Sequence, residues 1–138
     1  MAGRTAAPNE WPWHVALYYE EPAGSGKFQY FCGGTLISRR AVLTAAHCAT
    51  QPRSSSKRTD TVIAIPGKYH RSFDTNDDND KFAQQRIVVD IDINEYYNHL
   101  NYEADIAIMW LNEVSETFCC FQLRLWCLNS FDTLLPNV

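Results

Sequence analysis

Two residues of this 138-residue chain have the chemistry and the surroundings of an acid–base pair. His47 lies among small residues, and Asp105 comes directly before a continuously apolar segment. We therefore expect the Asp105 carboxylate to be largely buried where that segment enters the core. A buried carboxylate is costly unless it accepts hydrogen bonds, and a histidine N–H is a suitable donor. Such a pair would fix the imidazole tautomer and stabilise the imidazolium formed in general-base catalysis.

The residue types alone also allow a simpler interpretation of this pair. His47 would then be a surface histidine with ordinary partners, and Asp105 would cap the end of a strand. For an arbitrary histidine and aspartate this simpler interpretation is preferred, so the surrounding sequence has to decide between the two.

Six short segments have the composition of β-strands, and turn-forming residues separate them. They are residues 13–19, 28–37, 42–44, 61–65, 87–94 and 106–111. One helical turn is predicted at 45–48, and no longer helical pattern occurs before residue 114. A small antiparallel barrel is the economical fold for such a pattern.

The last two predicted strands differ in their hydrophobic pattern. In the fifth, Ile87, Val89, Ile91 and Ile93 occupy every second position, which predicts one buried and one solvated face. The sixth, residues 106–111, is apolar throughout, as a strand buried on both faces would be.

Four segments, which make up three motifs, occur in the order typical of the chymotrypsin/trypsin family of serine proteases. They are WPWHVAL at 11–17, FCGGTLIS and VLTAAHC at 31–38 and 42–48, and DIAI at 105–108 with Leu111. These segments resemble the family's first strand, its catalytic-histidine region and its aspartate motif. The WPW segment is also similar to the arthropod immune and developmental members. The resemblance covers residues 3 to 112 and extends more loosely to residue 138.

The resemblance implies an all-β fold and a proteolytic function. Residues 3–115 would form the first six-stranded antiparallel barrel of the two-barrel trypsin-like fold, with the second barrel absent. Residues 116–138 would be a divergent inter-barrel linker or an aberrant tail. As in a serine-type endopeptidase acting on protein substrates, His47 would be the general base and acid, and Asp105 would orient it.

The resemblance also assigns roles to cysteines. Cys32 and Cys48 would form the disulfide that holds the histidine loop, which in the chain-entropy model stabilises the fold by about 3 kcal/mol. The alternative is a pair of free buried thiols. Cys127 lies in a segment that resembles a degraded inter-barrel motif, whose cysteine bridges to a pro-segment or regulatory domain in multidomain relatives. We expect Cys127 to form an interchain disulfide, unless it belongs with Cys119 and Cys120 to a tail without native pairing.

No serine of this chain has the surroundings of the family's nucleophile. The family supplies that serine and the oxyanion donors from a Gly-Asp-Ser-Gly-Gly segment in its second barrel. Here all six glycines lie at or before Gly67, and the serines after Asp105 are Ser115 and Ser130, neither beside a glycine. We therefore expect a chain truncated before the nucleophile and inactive alone. The alternative is a non-catalytic homologue that acts as a binding or regulatory module.

Composition excludes other classes of partner. The formal net charge is -4 and no run of lysine and arginine occurs, so we expect no nucleic-acid binding. The longest apolar run, residues 106–111, is far shorter than the roughly 20 residues of a membrane span. No signal peptide is visible at the N-terminus, whereas five cysteines favour an oxidising compartment. We expect a secreted protein whose upstream sequence is missing here.

We expect neither a metal nor a cofactor. The loop of residues 73–81 does carry the alternating oxygen ligands of a calcium site, at Asp74, Asn76, Asp78 and Asp80. However, Asn79 and Gln85 replace the glycine and the glutamate of an EF-hand loop. Lys68 stands where calcium-binding family members have a carboxylate. The sequence therefore favours a solvated loop.

Overall fold

The computed structural model describes residues 3–58, 60–73 and 78–115. Its strands are β1 (His14–Glu20), β2 (Phe28–Leu36), β3 (Ala41–Thr44), β4 (Val62–Pro66), β5 (Arg86–Ile93) and β6 (Ala107–Leu111). The short helix α1 (Ala46–Ala49) follows β3, and a single 3₁₀ turn (Asp78–Asp80) precedes β5. All six predicted strands are confirmed, and their ends differ from the prediction by at most one residue.

The strands close into one antiparallel barrel in the order β1-β2-β3-β6-β5-β4. Strand β1 closes the barrel because it pairs with β2 on one side and with β4 on the other. A closed sheet leaves no unpaired edge for another chain to add to. The all-β barrel predicted from the sequence is thus confirmed. Within the described ranges, no helix is long and apolar enough to cross a membrane.

The barrel interior is filled by aliphatic side chains from opposite walls. Val15, Leu17, Val42 and Met109 are completely buried in one cluster. Burial of each such side chain stabilises the fold by about 1.5–3 kcal/mol. Gly34 of β2 is required by this packing, because a Cβ atom there would lie 2.5 Å from Val42 Cγ1.

A β-bulge changes which residues of β5 face the core. Val88 and Asp90 pair with consecutive residues of β6, so Val89 is an extra residue without a partner in the ladder. Val88 consequently packs against the core and Val89 is 59% exposed. The predicted single buried face is therefore wrong for Val89 and for Ile87, which is also exposed, and right for Ile91.

Strand β6 has one outward face, although it was predicted to be buried on both. Met109 points into the core, whereas the neighbouring Trp110 is exposed. Its indole Nε1–H donates a hydrogen bond to Asp92 Oδ2 at 2.7 Å on the outer surface of the barrel. The apolar run is therefore continuous because an outward-facing position is occupied by the aromatic Trp110, whose one polar atom forms a hydrogen bond on the barrel surface.

A buried ion pair connects the loop after β4 to the turn before β5. Lys68 Nζ lies 2.9 Å from Asp80 Oδ2, and each side chain is only 4% exposed. Asp80 Oδ1 accepts the backbone N–H groups of Tyr69 and His70 at 2.6 and 3.2 Å. The interpretation as a solvated loop is thus wrong for Asp80, while residues 74–77 lie outside the described residues.

Replacing Lys68 with methionine is expected to lower the free energy of unfolding by about 3–5 kcal/mol, because the Asp80 carboxylate would remain buried without its counter-charge. Chemical denaturation of the purified chain measures this change. Lys27→Met is the matched control, since Lys27 is exposed, and it should change stability by no more than about 0.5 kcal/mol. Equal effects of the two substitutions would contradict a structural role for the ion pair.

Candidate active site

The pairing of β3 with β6 brings the two predicted acid–base residues together. Thr44, the last residue of β3, is paired with Ala107, the first residue of β6. The chain continues from Thr44 into α1, which carries His47. Asp105 lies two residues before Ala107, where β6 begins. Residues separated by 58 positions in sequence therefore meet at one end of this strand pair.

Both oxygens of the Asp105 carboxylate are engaged by the same residue. His47 Nδ1 lies 2.7 Å from Asp105 Oδ2, and the backbone N–H of His47 donates to Asp105 Oδ1 at 2.8 Å. A carboxylate can only accept, so the neutral imidazole carries its proton on Nδ1. The Nε2 lone pair is left available to accept a proton, as in a general base.

The pair is open to solvent on the histidine side. The His47 side chain is 49% exposed and that of Asp105 is 23% exposed. Asp105 is therefore more open than the sequence predicts, since its carboxylate lies at the entrance of β6. An imidazole exposed to this degree can be reached by a molecule from outside the barrel.

The environment keeps Asp105 ionised. Burial raises the pKa of its carboxyl group, but the hydrogen bonds from the side chain and backbone of His47 outweigh this effect. The pKa therefore lies below its ordinary value. The pair can hold the imidazolium form of His47 beside a negative charge, which is what a general base needs once it has accepted a proton.

A disulfide fastens the histidine helix to the barrel wall. Cys32 of β2 and Cys48 of α1 are bonded, with their Cα atoms 6.2 Å apart. This confirms the predicted pairing and excludes the alternative of two free thiols. Because Cys48 directly follows His47, the bridge restricts the backbone that carries the imidazole.

Tyr102 is a neighbour of the site that the sequence did not indicate. Its ring meets the His47 ring edge-on, with 5.8 Å between the ring centres. Tyr102 is 61% exposed, so its ring lies open to solvent beside the imidazole. An aromatic residue in an asparagine-rich loop carries no signal of this contact, because only the fold brings the loop to α1.

Of the serines and cysteines considered after Asp105 in the sequence, only Ser115 is among the residues that the structure describes, and it does not join the site. Ser115 is completely buried, and its backbone N–H donates to the Arg39 carbonyl at 2.7 Å, so a substrate has no access to its hydroxyl. Cys119, Cys120, Cys127 and Ser130 lie outside the described residues. A cavity of about 500 Å³ lies between residues 5–14 and 67–70, and neither His47 nor Asp105 lines it.

Acid titration should reveal the Asp105 interaction. Because the pKa is lowered in the folded chain, ionised Asp105 stabilises the fold at any pH above the ordinary pKa that its carboxyl group has in the unfolded chain. This stabilisation is lost as the pH falls through the folded pKa. Between pH 5 and pH 2 we expect the unfolding midpoint of the wild-type chain to fall further than that of Asp105→Asn.

The exposed Glu113 provides a control for this titration. Glu113→Gln should keep the wild-type pH dependence, because the same carboxylate–histidine contact is intact. Parallel curves for Asp105→Asn and the wild-type chain would show that the carboxylate contributes nothing to folding.

Relatives from several animals resemble this chain over most of its length. Chymotrypsin-C of Mus musculus is 33% identical over 138 residues, which cover 99% of this chain and 45% of that protein. Proclotting enzyme of Tachypleus tridentatus is 30% identical over 115 residues, or 82% of this chain and 29% of that protein. Chymotrypsin-like elastase family member 3B of Homo sapiens is 44% identical over 70 residues, which cover 51% of this chain and 22% of that protein. The chain spans less than half the length of each.

Similarity to these proteins does not single out one animal group. Mammalian and arthropod proteases both match, so a specific relationship to arthropod members stays a prediction.

The family model described as Trypsin matches residues 1–124, a range that contains the whole barrel and both residues of the acid–base pair. The chain therefore belongs to the trypsin family of serine proteases.

Proposed function

We propose that this chain supplies the histidine and the aspartate of a Ser-His-Asp triad to a serine endopeptidase that cleaves protein substrates. The observation that carries the proposal is the 2.7 Å contact between His47 Nδ1 and Asp105 Oδ2. It leaves the lone pair on Nε2, whose neighbour at 3.4 Å is the disulfide sulfur of Cys48 and has no proton to donate, to accept a proton. His47 takes the proton of the attacking serine hydroxyl and returns it to the leaving amine, while Asp105 holds the imidazole in the required tautomer.

The nucleophile belongs, in this proposal, to sequence beyond these 138 residues. More than half of each relative described above lies outside the matched region. No serine after Asp105 in this chain has a neighbouring glycine, as an oxyanion loop requires. The 138 residues alone are then inactive, because removing the nucleophile costs about as much activity as removing a whole triad.

A non-catalytic homologue that binds or regulates a partner is the second candidate. The absence of a glycine-flanked serine favours it. The geometry of the His47–Asp105 pair favours the enzyme, since a binding module has no need of an exposed imidazole whose proton position is fixed by a carboxylate. A catalytic test that restores the missing half separates the two.

Location and covalent partners follow from cysteine chemistry. The Cys32–Cys48 disulfide is of the kind that persists in oxidising compartments, so we assign the protein to the secretory route. Five cysteines leave at least one without an internal partner. Cys127 is the proposed position of an interchain disulfide with a pro-segment or regulatory domain.

A fluorophosphonate probe, which forms a covalent bond with activated serines, should not label the purified chain. Labelling requires a serine beside His47, and the fully buried Ser115 does not offer one. Intact-mass spectrometry measures the bound fraction, and a complete chymotrypsin treated in parallel confirms that the probe is reactive. Stoichiometric labelling would contradict the assignment of the nucleophile to other sequence.

A chimaera tests whether His47 is competent as a base. Residues 1–115 are fused to the second barrel of a chymotrypsin-like relative that supplies the serine. We expect peptide hydrolysis, and a decrease in kcat of about 10⁶-fold for His47→Ala. His14→Ala is the control and should retain activity, because His14 lies in β1, outside the acid–base pair.

The chimaera also distinguishes the two candidate functions. A folded chimaera that does not hydrolyse peptides would favour the non-catalytic homologue. Equal activity of the wild-type and His47→Ala chimaeras would contradict the role of His47.

A further inference from the structure

Three side chains with metal-ligating atoms, two on α1 and one on β2, lie close together. The sulfur atoms of Cys32 and Cys48 and a ring nitrogen of His47 all lie within 4.8 Å of one another. Thiolate and imidazole are the ligands that zinc prefers in proteins. In the oxidised chain the two sulfurs are bonded to each other, so their capacity to bind a metal is masked.

We propose that reduction of the Cys32–Cys48 disulfide creates a zinc site formed by Cys32 Sγ, Cys48 Sγ and His47 Nε2, with a water molecule in the fourth position. The reductant is a dithiol: its thiolate attacks one sulfur, the Cys32–Cys48 bond breaks, and the dithiol leaves as its own cyclic disulfide. Two cysteine thiols remain, and zinc displaces their two protons when it binds.

The observed distances are close to those of a tetrahedral site. Zn–S and Zn–N bonds of about 2.3 and 2.0 Å at a tetrahedral angle place nitrogen and sulfur about 3.5 Å apart. His47 Nε2 lies 3.4 Å from Cys48 Sγ. Once the disulfide is broken, the sulfurs have to separate to about 3.8 Å. Rotation of Cys32 about its Cα–Cβ bond between staggered rotamers allows this separation.

Asp105 prepares the histidine for this role. Zinc-binding histidines commonly donate their other ring N–H to a carboxylate, which fixes the tautomer and the ring orientation. Asp105 Oδ2 lies 2.7 Å from His47 Nδ1 and provides this arrangement. The second hydrogen bond, from the His47 backbone N–H to Asp105 Oδ1, holds the two residues together without involving the disulfide.

The proposed zinc ligands differ in their exposure to solvent. The His47 side chain is 49% exposed, so an ion can approach from solvent, whereas Cys48 is only 5% exposed. Zinc on Nε2 would occupy the lone pair that accepts the serine proton. Inhibition by zinc after reduction is therefore a consequence that rests on the proposed function, but binding itself does not.

Cobalt spectroscopy tests the site independently of activity. The working background is a variant in which Cys119, Cys120 and Cys127 are all serine, so that no other thiol contributes. The chain is reduced with dithiothreitol, freed of it by anaerobic gel filtration, and titrated with Co²⁺. We expect the visible bands of tetrahedral cobalt and a thiolate charge-transfer band, saturating at one equivalent and abolished by Zn²⁺.

Substitutions distinguish cobalt binding at this site from cobalt binding by two thiols alone. In the same background, His47→Ala should remove the tetrahedral spectrum, and Asp105→Asn should weaken metal affinity by about 10–100-fold. His14→Ala is the matched control and should bind cobalt like the parent. The oxidised chain should give no cobalt spectrum.

Three results would overturn the proposal. They are the absence of cobalt bands in the reduced parent, unchanged binding by His47→Ala, and equal spectra from reduced and oxidised chains. An inactive chimaera would contradict the proposed function without affecting these spectra, so the two failures are distinguishable.

Discussion

The antiparallel pairing of β3 with β6 is the constraint on which the rest of the site depends. It sets Thr44 opposite Ala107, and from that register the chain leads in one direction to His47 and in the other to Asp105. A shift of one residue in this pairing would turn every side chain of β6 to the opposite face of the barrel. The completely buried Met109 opposes such a shift, because it would lose its place in the core.

Local interactions then fix the orientation of the His47 side chain that this register brings into place. The Asp105 carboxylate accepts both the side-chain and the backbone N–H of His47, so the imidazole and its peptide are held by one group. The disulfide from Cys48 restricts the same segment from the side of β2. Each interaction is modest, but all act on the same four-residue helix.

The strands and the meeting of His47 with Asp105 could be predicted from sequence because both leave local signals, whereas the catalytic roles of the two residues stay a prediction. Strand composition and turns located every strand, and short motifs identified His47 and Asp105. The failures concern contacts without a local signal. A single bulged residue, Val89, shifts the alternation of β5, so that Val88 and not Ile87 packs against the core before the bulge, and the sequence pattern alone cannot show this shift. The buried partner of Lys68 depends on how two loops meet, as does the contact of Tyr102 with the imidazole.

The central claim is that Asp105 fixes the proton of the neutral His47 imidazole on Nδ1 and leaves Nε2 as the base. Long-range proton–nitrogen NMR of the ¹⁵N-labelled chain, at a pH where the imidazole is neutral, measures this tautomer directly. The His47 spectrum should show a protonated Nδ1 and an unprotonated Nε2, and the pattern should be lost in Asp105→Asn. A proton on Nε2 in the wild-type chain would contradict the claim.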